Sequence, residues 1–371
     1  MTADAAEFEA AGLYDPEAPN ADDRLALLEW LIEQGISIDQ MTSAATLDGL
    51  AVAIGDAIIR PGPRLTLAEV AERAGVTIEE VEEMRRAVGF PAADRDERLF
   101  IERDADTFAA FKLAETVFGQ DAILEFSRVM GSSLGRIADA AIWLFLGNVE
   151  APLVTSEGSE LALAKARVEA TSMLAALPDV MDGIFRFHVY EAVRRSRQAR
   201  VGVEGFDTAR LALGFIDLVG FTSMSQQLDT RELGRVVHEF EGIAHDVVVA
   251  HDGRVVKLIG DEVMFVAVDP VDVCEISLTL VERYAADTGV TPRGGLAVGE
   301  LLTRGGDYYG PIVNLASRIT ELAVPNELLA TTDLRAEVTK TTDAFSFEPA
   351  GRRMLKGFDE PVELYSLTRP A

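Results

Sequence analysis

RVVKLIGDEVMFVAV (254–268) decides the architecture of the C-terminal half of this chain. Two β-branched apolar runs flank Gly260-Asp261, the two-residue turn of a β-hairpin, so the strands on either side are antiparallel neighbours. Working outward, further strand-like runs are LALGFIDL (211–218) upstream, and RGGLAVGELLT (293–303) and NELLATT (326–332) downstream, with two short strand-like pieces near the end. Helical patterns begin between them near Phe221, Asp229, Pro270 and Gly310. The order β-α-α-β-β-α-β-α-β predicts an α/β sandwich with a mainly antiparallel sheet.

Upstream the texture changes. From about Asp22 to Arg200 apolar residues recur at helical spacing in an Ala-, Leu- and Glu-rich background, as at Leu25, Leu28, Trp30 and Leu31 and again from Leu161 to Leu177. The expectation is an all-α N-terminal domain over 1–200 and an α/β domain over 201–371. The Gly-containing stretch ARVGVEGFDT (199–208) forms the boundary, and a connecting helix over about 180–198 is placed to pass a signal across it. Within the helical half, LTLAEVAERAGVTIEEVEEMRRAVGFP (65–91) has helix-turn-helix form, with a Gly75 turn and a second helix capped by Thr77 with Glu80 three residues on. A DNA-recognition helix presents Arg, Lys, Asn or Gln to the groove. This one presents Glu79, Glu80, Glu82 and Glu83, with only Arg85 and Arg86 near its end, so an αα-hairpin inside a helical domain is the favoured reading.

At 371 residues the chain is long enough for two cored domains. Its 62 acidic and 34 basic residues give a formal charge of −28, which repels nucleic acid and anionic lipid surfaces. Bound cations invert that sign locally, so a nucleotide substrate stays open. Cys274 is the only cysteine, which excludes an intrachain disulfide or a multi-cysteine zinc site. Met1 to Asp23 is acidic and lacks the pattern of a secretory signal. The apolar stretch from about Ile137 to Val154 is interrupted by Asp139, Asn148 and Glu150, so no membrane insertion is expected. The expected location is cytoplasmic.

Two carboxylates stand at strand ends. Asp217 closes an apolar strand just before Leu-Val-Gly-Phe-Thr, where a helix begins, and Asp261 sits in the hairpin turn. Carboxylates aimed into one cleft from neighbouring strands suit hard cations such as Mg²⁺ or Mn²⁺. The helix start at Gly220, Phe221 and Thr222 adds backbone N–H groups for phosphate oxygens. Taken singly, Asp217 reads as a helix cap and Asp261 as a turn residue; their pairing points to a metal site.

FIDLVGFT (215–222), KLIGDEVMF (257–265) and DYYGPIVNLASR (307–318) resemble the signature segments of class III adenylyl and guanylyl cyclases, over about Leu211 to Leu367 and including LKGFDEPVELYSL (355–367). The resemblance implies a ferredoxin-like α/β catalytic domain. It implies that Asp217 and Asp261 bind two divalent metal ions, that Lys257 and Asp307 read the purine, and that Asn314 and Arg318 serve the transition state. A lysine donor and an aspartate acceptor complement the N1 and N6 of adenine and mismatch guanine, which favours ATP over GTP. Lys356 and Arg304 are weaker candidates for the β- and γ-phosphates. Because the family divides each active site between two catalytic domains and this chain holds all six residues, the resemblance implies a homodimer with two equivalent sites.

The helical half is similar to the regulatory domain of soluble mycobacterial adenylyl cyclases, a group associated with pH-responsive activity. That likeness rests on texture and on FRFHVYEAVRRSRQ (185–198), in which His188 is one of four histidines in the chain. A histidine there either switches charge near neutral pH or simply packs. An apolar ligand between the Ala- and Leu-rich helices is neither supported nor excluded by the sequence. Alternatives to an ATP-cyclising enzyme are a guanylyl cyclase, a non-catalytic nucleotide sensor on the same fold, and a transcription factor using 65–91. IGDEVMF does not reproduce the GGDEF segment of diguanylate cyclases.

Overall fold

In the computed structural model, which describes residues 5–45, 59–152, 160–174, 177–200, 205, 207–287 and 291–370, the strand β1 (Thr208–Val219) is the spine of the C-terminal unit. The expected hairpin follows it: β2 (Arg254–Ile259) and β3 (Glu262–Ala267) pair antiparallel with Ile259 opposite Glu262. Gly260 takes φ +64, the left-handed region that the first position of such a tight turn demands. The remaining strands are β4 (Thr291–Arg304), β5 (Asp307–Tyr309), β6 (Leu328–Thr331), β7 (Ser346–Arg353) and β8 (Val362–Thr368). Their order is β2-β3-β1-β4-β6-β8-β7, with β5 hairpinned onto β4. Every pairing is antiparallel except β4 with β6.

The two-residue period of β1 divides its side chains between two cores. Ala212, Ile216 and Leu218 face a cluster with Phe240, Val247, Val273, Ile276 and Leu334, contributed by the helices Thr230–Ala250, Pro270–Asp287 and Thr332–Thr341. Leu211, Leu213 and Phe215 face the other way, onto Ala199, Tyr308 and Ala316. Ala316 belongs to the helix Pro311–Leu322, which lies directly on β4. A Cβ on Gly295 would meet the Ala316 carbonyl oxygen at 2.4 Å, so only glycine allows that approach. Asp217 has the parity of Phe215 and shares this second face.

The N-terminal unit is all helix apart from one isolated bridge, Leu65 to Phe100, among the described residues. The 65–91 segment forms the expected pair, Leu67–Ala74 and Ile78–Ala87, each opened by a capping box (Thr66 with Glu69, Thr77 with Glu80) and separated by left-handed Gly75. Its acidic face is occupied within the unit: Glu80 pairs with Lys112 at 2.5 Å and Glu83 accepts from Gln120 at 2.8 Å, while Val81 and Met84 are buried. The helix is therefore packed as one arm of an αα-hairpin.

The apolar stretch that the sequence presents as interrupted is one continuous helical segment, Gln120–Glu150, closing in a π-helical turn at Leu146–Glu150. By length and composition it is long and apolar enough to cross a membrane, and Trp143 is 73% exposed. Compact units divide at Arg186 and Phe187, inside the connecting helix Leu177–Ala199. That helix exposes Ile184, Phe185, Phe187, Tyr190 and Val193.

Candidate active site

The end of β1 places Asp217 opposite Glu262 of β3 and Arg293 of β4. Arg293 donates to the Asp217 carboxylate through Nε at 2.8 Å and a terminal nitrogen at 2.7 Å, and reaches the carbonyls of Glu321 (3.1 Å) and Ala323 (3.5 Å). One guanidinium thus ties together the end of β1, the start of β4 and the carbonyl end of the helix Pro311–Leu322, whose dipole favours a cation there. The Leu218 N–H donates to the Asp261 carbonyl at 3.2 Å, fastening the hairpin turn to β1.

Negative charge is in excess at this corner. The Asp261 carboxyl is pushed above its usual range, chiefly by burial; nearby Asp217 adds to the rise, while a backbone hydrogen bond and Arg293 oppose it. Glu262 is raised to about 7 by burial first, then by Asp217, Asp261 and Glu321, against a partial offset from Arg293. Crowded, partly desolvated oxygen donors with too little countercharge fit a hard divalent cation. Among the described residues no group of three or more His, Cys, Asp or Glu could hold a metal ion, so Asp217 and Asp261 would leave most coordination positions to substrate oxygens and water. Arg293 belongs to none of the three signature segments; its one signal in the sequence is a lone arginine opening an otherwise apolar strand.

Lys257 and Asp307 come together. Lys257 Nζ donates to Asp307 Oδ2 at 2.6 Å, and Asp307 Oδ1 accepts the Tyr308 N–H at 2.8 Å. A register shift between Val255 and Lys257, a bulge in β2, re-aims the lysine. Arg254 draws the β4–β5 hairpin against β2 by donating to the Gly306 carbonyl (2.9 Å) and the Tyr308 hydroxyl (3.3 Å).

Asn314 and Arg318 lie one turn apart on the helix Pro311–Leu322, Asn314 exposed and Arg318 paired with Glu321. The helix starts just after Asp307 and ends at the Arg293–Asp217 cluster. Twelve residues at ~1.5 Å each make that helix about 18 Å long, while Lys257 stands opposite Met264, which stands opposite Phe215, two residues before Asp217. No hydrogen bond or ion pair crosses between the two groups among the described residues: Asp217 bonds Arg293, and Lys257 bonds Asp307.

The other candidates are more scattered. Phe221 packs against the first core cluster at the start of a five-residue helix, Phe221–Ser225; the side chain of Thr222 lies outside the described set. Lys356 is exposed between β7 and β8, Arg304 is exposed at the end of β4, and His188 is exposed on the connecting helix. The helical unit contains a cavity of about 790 Å³ bordered by Phe90, Phe108 and Phe111 with Arg60, Arg85 and Arg128.

Residues 6–193 match the adenylate cyclase regulatory domain and residues 204–369 match the adenylate and guanylate cyclase catalytic domain, which defines a regulated nucleotidyl cyclase. An uncharacterized protein of Mycobacterium tuberculosis (strain H37Rv) is 31% identical over 97% of this chain and 93% of its own length. An adenylate cyclase of Streptomyces coelicolor is 33% identical over 82% of this chain and 79% of its own, and a pH-sensitive adenylate cyclase of M. tuberculosis (strain CDC 1551) is 31% identical over 94% and 89%. The chain belongs to the class III adenylate cyclase family.

Proposed function

We propose that this chain converts ATP to 3′,5′-cyclic AMP and pyrophosphate at two equivalent sites made by a homodimer. The Lys257–Asp307 ion pair at 2.6 Å carries the proposal, because it offers adenine a donor and an acceptor already aligned. Guanine reverses that pattern and would leave both groups mismatched, which sets the guanylyl cyclase alternative aside. All six signature residues lie in one chain, and the family divides each site between two catalytic domains, which supports completion of each site by a second copy. Apolar side chains exposed along the connecting helix and Gln120–Glu150 supply surface for such a C₂ partner. Covering by a partner subunit, rather than insertion into lipid, is the role assigned here to Gln120–Glu150, and the cytoplasm is the proposed location. The functional boundary is set at 200/201, immediately after the connecting helix.

Asp217 and Asp261 would hold divalent cations, Mg²⁺ or Mn²⁺, which would supply acidification of the ribose 3′-hydroxyl and charge neutralisation of the triphosphate. Asn314 orients the ribose, and Arg318 exchanges Glu321 for the charge growing on the α-phosphoryl oxygens. Arg293 offsets Asp217, and Lys356, Arg304 and the N–H groups at Phe221 and Thr222 are candidates for the outer phosphates. Retention of all six signature residues speaks against a non-catalytic sensor.

The N-terminal domain regulates. His188, exposed on the connecting helix, is the proposed proton-responsive group, in keeping with the pH-sensitive relative. The cavity bordered by Phe90, Phe108 and Phe111 is the proposed seat of a small apolar ligand. Cyclic nucleotide formation by the purified full-length chain, with ATP or GTP and Mg²⁺ or Mn²⁺, tests the proposal. Cyclic AMP that disappears in Asp261→Ala is the expected result; metal-independent product, or product from GTP alone, would overturn it.

A further inference from the structure

Among the described residues no backbone ladder joins β2, which carries Lys257, to β5, which carries Asp307. Sheet order puts β3 and β1 between β2 and β4, and β5 hangs on β4. Backbone pairing therefore leaves the spacing of Lys257 and Asp307 open, and side-chain contacts set it. One contact is the pair itself, at 2.6 Å. Arg254 makes the others: it donates to the Gly306 carbonyl at 2.9 Å and to the Tyr308 hydroxyl at 3.3 Å, with its guanidinium 5.7 Å from the Tyr308 ring centre. One side chain thus holds the residues immediately before and after Asp307. The bulge in β2 makes this possible. Arg254 stands opposite Val266 and Lys257 opposite Met264, so Val256 is the extra residue and Arg254 comes to the same face as Lys257. Met264 and Val266 are buried in the cluster that also contains Tyr308, itself 8% exposed. Across from β2, Arg304 pairs with Asp307 around Gly305 and Gly306, a two-residue turn with φ +60 and +78.

We propose that Arg254 is the positioning residue of the purine pair: it fixes the distance of Asp307 from Lys257 once a base has come between them, and through that distance the preference for ATP over GTP. In the nucleotide-free chain Lys257 and Asp307 hold each other. A base that takes the lysine donor and the aspartate acceptor gives up that direct tie, and the β4–β5 hairpin then depends on Arg254. The planar guanidinium serves the Gly306 carbonyl and the Tyr308 hydroxyl together, a geometry that lysine or glutamine does not reproduce. Arg254 acts through residues 306–308 and needs no contact with the base. Selectivity is the property most exposed to its loss, because discrimination between purines depends on a donor and an acceptor staying in register with the base edge. The inference rests on the assignment of Lys257 and Asp307 to adenine proposed above.

The test measures, by calorimetry on the full-length chain in Mg²⁺, the affinities for 3′-deoxy-ATP and 3′-deoxy-GTP, which lack the attacking hydroxyl, so that selectivity is read without turnover. Arg254→Gln should narrow the ratio of the two affinities about tenfold, chiefly by weakening the adenine nucleotide. Tyr308→Phe deletes one of the two acceptors and keeps the ring, and should move the ratio the same way by about threefold. Combining the two should add less than the product of the single effects, because both act on one contact. In steady-state kinetics Arg254→Gln should raise KM for ATP by a larger factor than it lowers kcat. A merely structural role would weaken both nucleotides alike; an unchanged ratio in Arg254→Gln, with Asp307→Ala narrowing it, would overturn the inference and leave the purine assignment standing. Should Arg254→Gln lose its helical circular dichroism, Tyr308→Phe decides, and an unchanged ratio there is the overturning result. No adenine preference in the parent chain, or one that survives Asp307→Ala, would overturn the purine assignment and this inference with it.

Discussion

Asp307→Ala separates recognition from folding. The Lys257–Asp307 pair is about one-third exposed on each side, 34% and 28%, so solvent screening limits its part in stability to about 0–1 kcal/mol. For a unit of this size that is a fall in Tm of no more than about 4 °C. In the proposed adenine complex, with water displaced, the same carboxylate would accept from N6 and hold Lys257 in line with N1. Losing one hydrogen bond to a charged group costs ~1.5–3 kcal/mol, or about 10–150-fold in kcat/KM for ATP. GTP, which gains nothing from Asp307, should lose far less, so the ATP preference narrows by nearly the same factor. Steady-state kinetics on both nucleotides, with a Lys257→Ala cycle to expose non-additivity, measures this directly. A variant that keeps kcat/KM for ATP within about twofold, or keeps its ATP-to-GTP ratio, would refute the assignment of this pair to the purine.

Gly295→Ala should cost about 1–3 kcal/mol in denaturant unfolding and depress activity, because the new Cβ meets the Ala316 carbonyl and shifts the helix carrying Asn314 and Arg318; native stability would contradict that packing. Glu262, raised from 4.5 to about 7 in the folded protein, contributes stability that is complete below 4.5 and lost as pH rises through about 7, so Tm in chelator should decline across that window. Glu262→Gln should flatten the decline, and an identical slope would remove Glu262 as its source. His188→Gln should flatten the activity–pH profile near neutrality; an unchanged profile would show that proton sensing lies elsewhere.

What the sequence by itself determined is what short-range chemistry controls. Gly260-Asp261 between two apolar runs specifies a hairpin, and the position of Asp217 at a strand end follows from the same two-residue period. Thr77 and Glu80 announce a helix start within four residues. Asn314 and Arg318 share a helix face because 3.6 residues make a turn. The tertiary structure alone decided the rest. Lys257 meets Asp307 across 50 residues, and Arg293 meets Asp217 across 76. The parallel pairing of β4 with β6 likewise joins strands far apart in the chain. No local pattern carries these contacts, since each depends on which strands lie side by side and how closely a helix can settle on a glycine. Those choices are made by burying both faces of β1 at once, a condition on the whole domain rather than on any segment of it.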